Sequence, residues 1–150
     1  MKGYWNRPEL TAEVSAHGWH HTGDGGYMDE DGCVFIVDRI KDMIISGGEN
    51  VYSAEVEIAL YSHPDVVECA VIGVHDDDWG ERVHAVVRLQ EGAAPDDAGL
   101  IAHCRDRIAG YKLPRSFVYL SDPLPLSGAG KILKTELRKP HWDGQSKNVH

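Results

Sequence analysis

The sequence has 150 residues, a formal net charge of −9 at pH 7 and 42% hydrophobic residues, which suits one ordinary domain with a packed core and excludes a disordered chain. The acidic charge disfavours nucleic acid or an anionic membrane as the main partner, and no stretch approaches the roughly 18–20 apolar residues that span a bilayer. Three widely spaced cysteines and a first segment without an apolar run indicate reduced thiols and no signal peptide, so we expect a cytoplasmic protein.

The first quarter of the chain predicts a short helix and then a β-hairpin. Pro8 suits a first helical turn, and the helix is expected over residues 9–16. Residues 19–38 read as strand, turn and strand, with Asp31 and Gly32 as the turn and an apolar second strand after them.

The remainder predicts a second hairpin around Gly47 and Gly48, and then helices alternating with strands. Ser53 is the expected N-cap of the first of these helices. The further predicted elements are strands at residues 66–74 and 83–89, a helix through residues 100–108 and a strand at residues 117–120. This order predicts an α+β domain in which helices cover a small, mainly antiparallel sheet. The charged stretch 39–42 is the expected boundary with the preceding hairpin.

Two polar stretches frame this boundary. In Thr22-Gly23-Asp24, the carboxylate can accept hydrogen bonds from both hydroxyls of a ribose, or the tripeptide can be part of a simple turn. The stretch from Asp38 to Asp42 is, taken alone, typical of a solvated charge run.

Two glycine-containing segments are also open to two interpretations. Gly47 and Gly48 can supply the positive φ of a hairpin turn, or they can let the backbone close around a narrow ligand. Lys131 follows Ser127-Gly128-Ala129-Gly130 and is either an ordinary surface lysine or a cation on a flexible loop that reaches a reacting phosphate.

In this order and at these separations, the stretches resemble the adenylate-forming enzymes, which include acyl-CoA synthetases, peptide-synthetase adenylation domains and beetle luciferases. The resemblance runs from the segment 3–9 to Lys131 and is to the last part of such an enzyme. It implies that residues 1–38 finish a large N-terminal AMP-binding domain, that 39–42 form a hinge and that 43–150 form a mobile C-terminal lid domain. Because Met1 falls inside a phrase of the family, we expect a cut reading frame.

The resemblance also implies residue roles. Asp24 would bind the ribose of ATP, Arg39 would approach the nucleotide, and Lys41 would be the hinge residue. Gly48 would line the channel for pantetheine. Lys131 would be the catalytic lysine of adenylation, where a cation stabilises the charge that develops as a carboxylate attacks the α-phosphate.

The implied reaction joins a carboxylic acid to AMP at the expense of ATP and then transfers the acyl group to a thiol, usually coenzyme A. Mg²⁺ would be held by ATP and the missing N-terminal domain, which is also the expected partner. The isolated chain is expected to lack ligase activity and to self-associate as a homo-oligomer through the apolar strand 34–37. Two alternatives remain open: a stand-alone binding module that keeps the lid fold, and an adenylation domain that serves a carrier protein.

Other conspicuous residues are interpreted structurally. His17, His20 and His21 lack a completing ligand for zinc, so no metal site is predicted. We expect Trp79 and Cys104 to be packing residues. Ile45 stands where some relatives of the family have a lysine, so one contact to adenylate or thiol would be missing.

Overall fold

The computed structural model describes residues 1–142, so the last eight residues of the predicted lid domain lie outside the described part. The chain divides into two compact units, here called unit 1 and unit 2, of which unit 1 is Met1–Ile40 and unit 2 begins at Lys41. The division falls inside the stretch 39–42 that the sequence assigns to a hinge, and the hinge role itself stays a prediction. No helix in the described residues is long and apolar enough to cross a membrane.

Unit 1 contains one helix and one β-hairpin. Helix α1 (Pro8–Val14) has a proline in its first turn, as the sequence predicts. Strands β1 (Asp24–Met28) and β2 (Val34–Arg39) pair antiparallel. The Asp29 carboxylate closes the turn between them by accepting hydrogen bonds from the amides of Asp31 and Cys33 at 3.0 and 2.8 Å.

The hairpin of unit 1 carries large apolar side chains that are exposed within this chain. Val34 and Ile36 are 67% and 65% exposed, and Met28 on the opposite strand is 67% exposed. The prediction that apolar side chains of strand 34–37 are exposed within this chain is therefore confirmed for Val34 and Ile36. Such a contiguous apolar surface is typical of an interaction face.

Unit 2 is built on a five-stranded sheet. Its strands are β3 (Ile44–Ser46), β4 (Glu49–Val51), β5 (Val66–Asp76), β6 (Gly80–Leu89) and β7 (Ser116–Tyr119). The order is β4-β3-β6-β5 with antiparallel pairs throughout, and β7 adds to β6 in parallel. The α-helices of this unit are α2 (Ser53–Tyr61), α3 (Asp97–Arg105) and α4 (Lys134–Arg138). The predicted α+β class with a mainly antiparallel sheet is confirmed.

Alternating residues of β5 and β6 form two apolar clusters. One cluster joins the sheet to α2 and α3 and includes Leu60, Val71 and Cys104, all fully buried. The other consists of Ile72, Val74 and Val86, with Leu137 of α4 packed against it. The prediction that Cys104 is a core residue is confirmed, and burial raises the pKa of its thiol.

Two local predictions need correction. Ser53 is not the N-cap of α2: that position is Tyr52, and Ser53 is the first helical residue. Strands β5 and β6 are longer than predicted, because Asp76 ends β5 and its carboxylate accepts hydrogen bonds from the amides of Asp78 and Trp79 in a tight turn. The acidic run 76–78 is thus part of the tight turn between β5 and β6.

Candidate functional site

All five residues that the sequence assigns to the site are exposed, and they lie on four separate segments of the chain. Asp24 and Arg39 belong to unit 1, whereas Gly48 and Lys131 belong to two different loops of unit 2. Lys41 lies in the single 3₁₀ turn Ile40–Asp42, which we call the hinge turn.

Asp24 and Arg39 are brought together by the first hairpin. They are antiparallel Cα partners at the open end of the β1–β2 ladder. Thr22 fixes the backbone at this point, since its hydroxyl oxygen accepts a hydrogen bond from the Asp24 amide at 3.1 Å. The Ile40 amide donates to the Gly23 carbonyl at 2.9 Å and continues the ladder by one bond. A carboxylate and a guanidinium thus start from neighbouring backbone positions, an arrangement suited to a polar, anionic ligand.

The turn between β3 and β4 uses both glycines in the left-handed region. The φ angles of Gly47 and Gly48 are +60° and +83°, and Ser46 pairs with Glu49 across the turn. Consecutive positive φ values match the right-handed twist of a two-residue hairpin. The predicted hairpin is confirmed, and its sharpness requires these glycines.

The two glycines face different surroundings. A Cβ atom added at Gly47 would collide with the ring of Trp79, whereas one added at Gly48 would have nothing within 4 Å. The Gly47 amide also donates a hydrogen bond to the Trp79 carbonyl at 2.9 Å. Gly47 is therefore held by packing, and Gly48 presents open backbone. This difference fits a hairpin that is anchored on one side and can approach a narrow ligand on the other.

Trp79 and Glu81 anchor the hairpin from the β5–β6 side. The Arg115 guanidinium lies 4.0 Å from the centroid of the Trp79 ring, in the geometry of a cation–π contact. The buried Glu81 carboxylate accepts a hydrogen bond from the Ile45 amide at 2.8 Å. The prediction that Trp79 packs is confirmed. Glu81 was missed, because nothing local in the sequence indicates a glutamate that pairs with backbone 36 residues away.

Lys131 closes a tight turn that begins at Ser127. The Ser127 amide donates to the Lys131 carbonyl at 2.8 Å, and the Lys131 amide donates to the Ser127 hydroxyl at 3.2 Å. Gly130 has a φ of +74°, and Leu126 pairs with Ile132 across the base. No ion pair of Lys131 is found within residues 1–142. The backbone of the turn is thus well defined, and the Lys131 side chain is exposed to solvent.

Lys134, three residues after Lys131, has the opposite environment. Its amine lies 2.7 Å from Glu57 Oε1 and donates to the Ser53 hydroxyl at 2.7 Å, and both charged side chains are largely buried. Glu57 Oε1 also accepts a hydrogen bond from the Val71 amide at the outer edge of β5. The two neighbouring lysines are therefore distinct: Lys134 is paired and largely buried, whereas Lys131 is exposed.

The clearest pKa shifts lie away from these segments. Burial, helped by the nearby His141 and Arg82, lowers the pKa of His84 to about 4. The His84 Nδ1 atom lies 2.7 Å from the Ser116 hydroxyl. Hydrogen bonds from Arg88 and from the Leu124 amide lower the pKa of Glu68. Both groups lie on strands of the sheet, His84 on β6 and Glu68 on β5.

Comparison with known proteins identifies the fold and its relatives. The sequence profile of the AMP-binding enzyme C-terminal domain matches residues 55–131. The chain belongs to this family. The match begins in α2 and ends at Lys131, so it leaves α4 outside.

Among curated proteins, the 2-succinylbenzoate–CoA ligase of Geobacillus kaustophilus is 54% identical over 92% of this chain and 28% of its own length. The fatty acid–[acyl-carrier-protein] ligase of Streptomyces coeruleorubidus is 46% identical over 100% of this chain and 29% of its own length. Among solved structures, the o-succinylbenzoate CoA synthetase of Bacillus subtilis, in complex with its acyl-adenylate intermediate, has a TM-score of 0.84 at 42% identity. The match covers 91% of the present chain and 28% of the Bacillus subtilis enzyme. The chain thus spans somewhat more than a quarter of the length of these relatives.

Proposed function

We propose that this chain is the C-terminal part of an ATP-dependent acid–thiol ligase, in which unit 2 is a lid that turns about Lys41. The reaction has two halves. A carboxylic acid and ATP give an acyl-adenylate and pyrophosphate, and the thiol of coenzyme A then displaces AMP to give the thioester and a proton. The names of the relatives support this reaction class.

The observation that carries the proposal is that one compact unit presents two different functional groups on two different loops. Lys131 offers an exposed ammonium group on a well-defined turn, and Gly48 offers open backbone on an anchored hairpin. The first half-reaction needs a cation where negative charge develops, and the second needs a narrow passage for a thiol-bearing arm. A lid that turns between the two half-reactions brings Lys131 to the active site for the first and the Gly48 hairpin for the second, and it excludes water from the site.

The residues present fit the substrates that this reaction implies. Asp24 and Arg39 sit opposite each other and can hold the ribose and a phosphate of ATP or AMP. The open face of Gly48 suits the pantetheine arm of coenzyme A. Mg²⁺, which neutralises phosphate charge when bound, would be held mainly by ATP and by the N-terminal AMP-binding domain.

The experiment replaces the matching C-terminal part of the Geobacillus kaustophilus ligase by this chain. We expect the hybrid to catalyse pyrophosphate exchange and thioester formation, and Lys131→Ala to slow the exchange by about 10²–10³. The unmodified parent and the parent without its C-terminal part are the controls. An inactive hybrid in the presence of an active parent would refute the proposal. The 150-residue chain alone should show neither reaction.

The identity of the thiol is the second point to test. A relative that covers the whole chain is named for an acyl-carrier protein, so transfer to a carrier protein is an alternative to coenzyme A. Supplying the hybrid with coenzyme A or with a phosphopantetheinyl carrier protein separates the two. We expect coenzyme A to be used faster, and faster transfer to the carrier protein would reverse this assignment.

A further inference from the structure

Helix α4 follows directly after the Lys131 turn and is tied to it. The Leu133 amide donates a hydrogen bond to the Pro125 carbonyl at 2.8 Å, so the two ends of the turn are fixed where α4 begins. The helix has only five residues, Lys134–Arg138. A helix this short depends on tertiary contacts for its stability.

The last residue of α4 contacts the hinge turn. Arg138 Nη2 lies 3.0 Å from the Asp42 carboxylate, and Nη1 donates to the Lys41 carbonyl at 3.4 Å. The two charged side chains are only 11% and 16% exposed. Arg138 thus contacts both a side chain of the hinge turn, that of Asp42, and its backbone, at the carbonyl of the proposed hinge residue Lys41.

The first residue of α4 contacts the helix that follows the Gly48 hairpin. Lys134 pairs with Glu57 and donates to Ser53, both on α2. The short helix α4 is therefore held at its first residue to α2 and at its last residue to the hinge turn, in both cases by an ion pair between residues far apart in the sequence. Largely buried ion pairs of this kind are costly to break, because the remaining charge is left buried without its partner.

A third ion pair on the same segment provides a contrast. Lys139 and Glu136 pair at 2.7 Å, three residues apart, with 68% and 48% of their side chains exposed. Such local surface pairs contribute little to stability. Replacement of Lys139 therefore removes a cation next to Arg138 without affecting a tertiary contact.

We infer that Arg138 is a positioning residue that fixes the Lys131 turn to the hinge turn, so that α4 transmits the turning of the lid to the catalytic lysine. The inference rests on the proposed function. Lys131 is far from the hinge along the chain, and the α4 segment that follows it contacts the hinge turn through Arg138. The Gly48 hairpin needs no such contact, because β3 begins two residues after Asp42 and connects it to the hinge directly.

This difference in connection makes the effect selective. Loss of the Arg138 contacts should misplace Lys131 while it leaves the hairpin in place. A small displacement of a group that acts on the transition state has a large effect on rate. Adenylation should therefore suffer more than thiolysis, although neither half-reaction involves Arg138 itself.

The mechanical part is tested on the 150-residue chain by hydrogen exchange. We compare Arg138→Gln with Lys139→Gln, each of which replaces one of two neighbouring cationic residues by glutamine. Amides 41–44 should exchange about tenfold faster in the first variant and at the unaltered rate in the second. Equal exchange in both variants would overturn the inference, as would a uniform acceleration that includes the β5–β6 amides. Arg138→Lys, which keeps the charge but not the two-pronged contact, should give an intermediate rate and serves if Arg138→Gln fails to fold.

The functional part is tested in the active hybrid enzyme. Arg138→Gln should slow pyrophosphate exchange about tenfold or more, through kcat rather than the KM for ATP, and should change thiolysis of supplied acyl-adenylate less than about twofold. The double variant Arg138→Asp with Asp42→Arg should catalyse pyrophosphate exchange faster than Arg138→Asp alone, because it restores the ion pair with the charges reversed. Equal loss of both half-reactions would overturn the inference. Inactivity of the unaltered hybrid refutes the proposed function instead, and hydrogen exchange then decides the link between Arg138 and the hinge turn.

Discussion

The Gly47 amide donates a hydrogen bond to the Trp79 carbonyl at 2.9 Å, and a Cβ atom added at the same glycine would collide with the Trp79 ring. Gly48, the next residue, has the same left-handed backbone but open space where its side chain would be. Adjacent glycines of one turn are thus required for different reasons, one by packing and conformation and the other by conformation alone.

This difference predicts unequal effects of the same substitution. Gly48→Ala should lower the free energy of unfolding by about 1 kcal/mol, which is the cost of a side chain at positive φ. Gly47→Ala should lower it by about 3 kcal/mol, because the methyl group also collides with the Trp79 ring. Urea unfolding of the 150-residue chain measures both values. In a Trp79→Ala background the two losses should become similar, and equal losses in the original background would contradict the packing role of Gly47.

Lys131→Ala tests the proposed catalytic lysine. In the hybrid enzyme the substitution should slow pyrophosphate exchange by about 10²–10³, since it removes a cation that stabilises the transition state. Thiolysis of supplied acyl-adenylate should stay close to its original rate. Lys139→Ala is the matched control, since it removes an exposed lysine from the same part of the chain. Equal loss of both half-reactions in Lys131→Ala would argue for a structural role of this lysine.

Lys134→Met should affect stability. The change removes the cation that pairs with largely buried Glu57, so the free energy of unfolding should fall by about 2–3 kcal/mol. Lys139→Met breaks an exposed pair and should cost less than about 0.5 kcal/mol. Urea unfolding monitored by circular dichroism compares them. A larger loss for Lys139→Met would show that burial does not govern the strength of these pairs.

His84 should make the stability of the fold depend on pH. The pKa of this histidine falls from 6.5 to about 4 on folding, so between these values the unfolded chain binds more protons than the folded one. Stability is therefore complete above pH 6.5 and decreases as the pH falls towards 4, by about 3 kcal/mol in total. Unfolding measured between pH 4 and 7.5 should show a steeper slope for the original chain than for His84→Gln. Parallel slopes would mean that folding does not lower the pKa of His84.

The sequence predicts the hairpins well, because their signals are local. Asp31 and Gly32 mark one turn and Gly47 and Gly48 the other, and both hairpins are present in the structure. The predicted exposure of the apolar strand 34–37 is likewise confirmed at Val34 and Ile36.

Predictions that depend on tertiary contacts were less successful. Ser53 is a good N-cap by its residue type, but its hydroxyl accepts a hydrogen bond from Lys134, which lies 81 residues further along the chain. Helix α4 was not predicted, because five residues carry too little periodicity to be recognised. The contact between Arg138 and Asp42 was not predicted either, because the two residues are 96 positions apart in the sequence.

For the candidate site, the sequence indicates which residues to consider and the structure adds their surroundings. The partnership of Asp24 with Arg39 follows from strand register, which the turn alone does not specify because β1 and β2 have a bulge beside Gly25. The roles of Asp24, Arg39, Lys41, Gly48 and Lys131 remain predictions that the hybrid enzyme tests.

The outer edge of β5 has a further consequence. Glu57 accepts a hydrogen bond from the Val71 amide, and the Trp142 indole donates one to the Gly73 carbonyl at 3.0 Å. These two backbone groups are the ones that a foreign strand would use to extend the sheet, and each is already engaged by a side chain. A charged group and a bulky ring at an outermost strand discourage edge-to-edge aggregation. Unit 2 is thereby protected from amyloid-like strand addition along this edge.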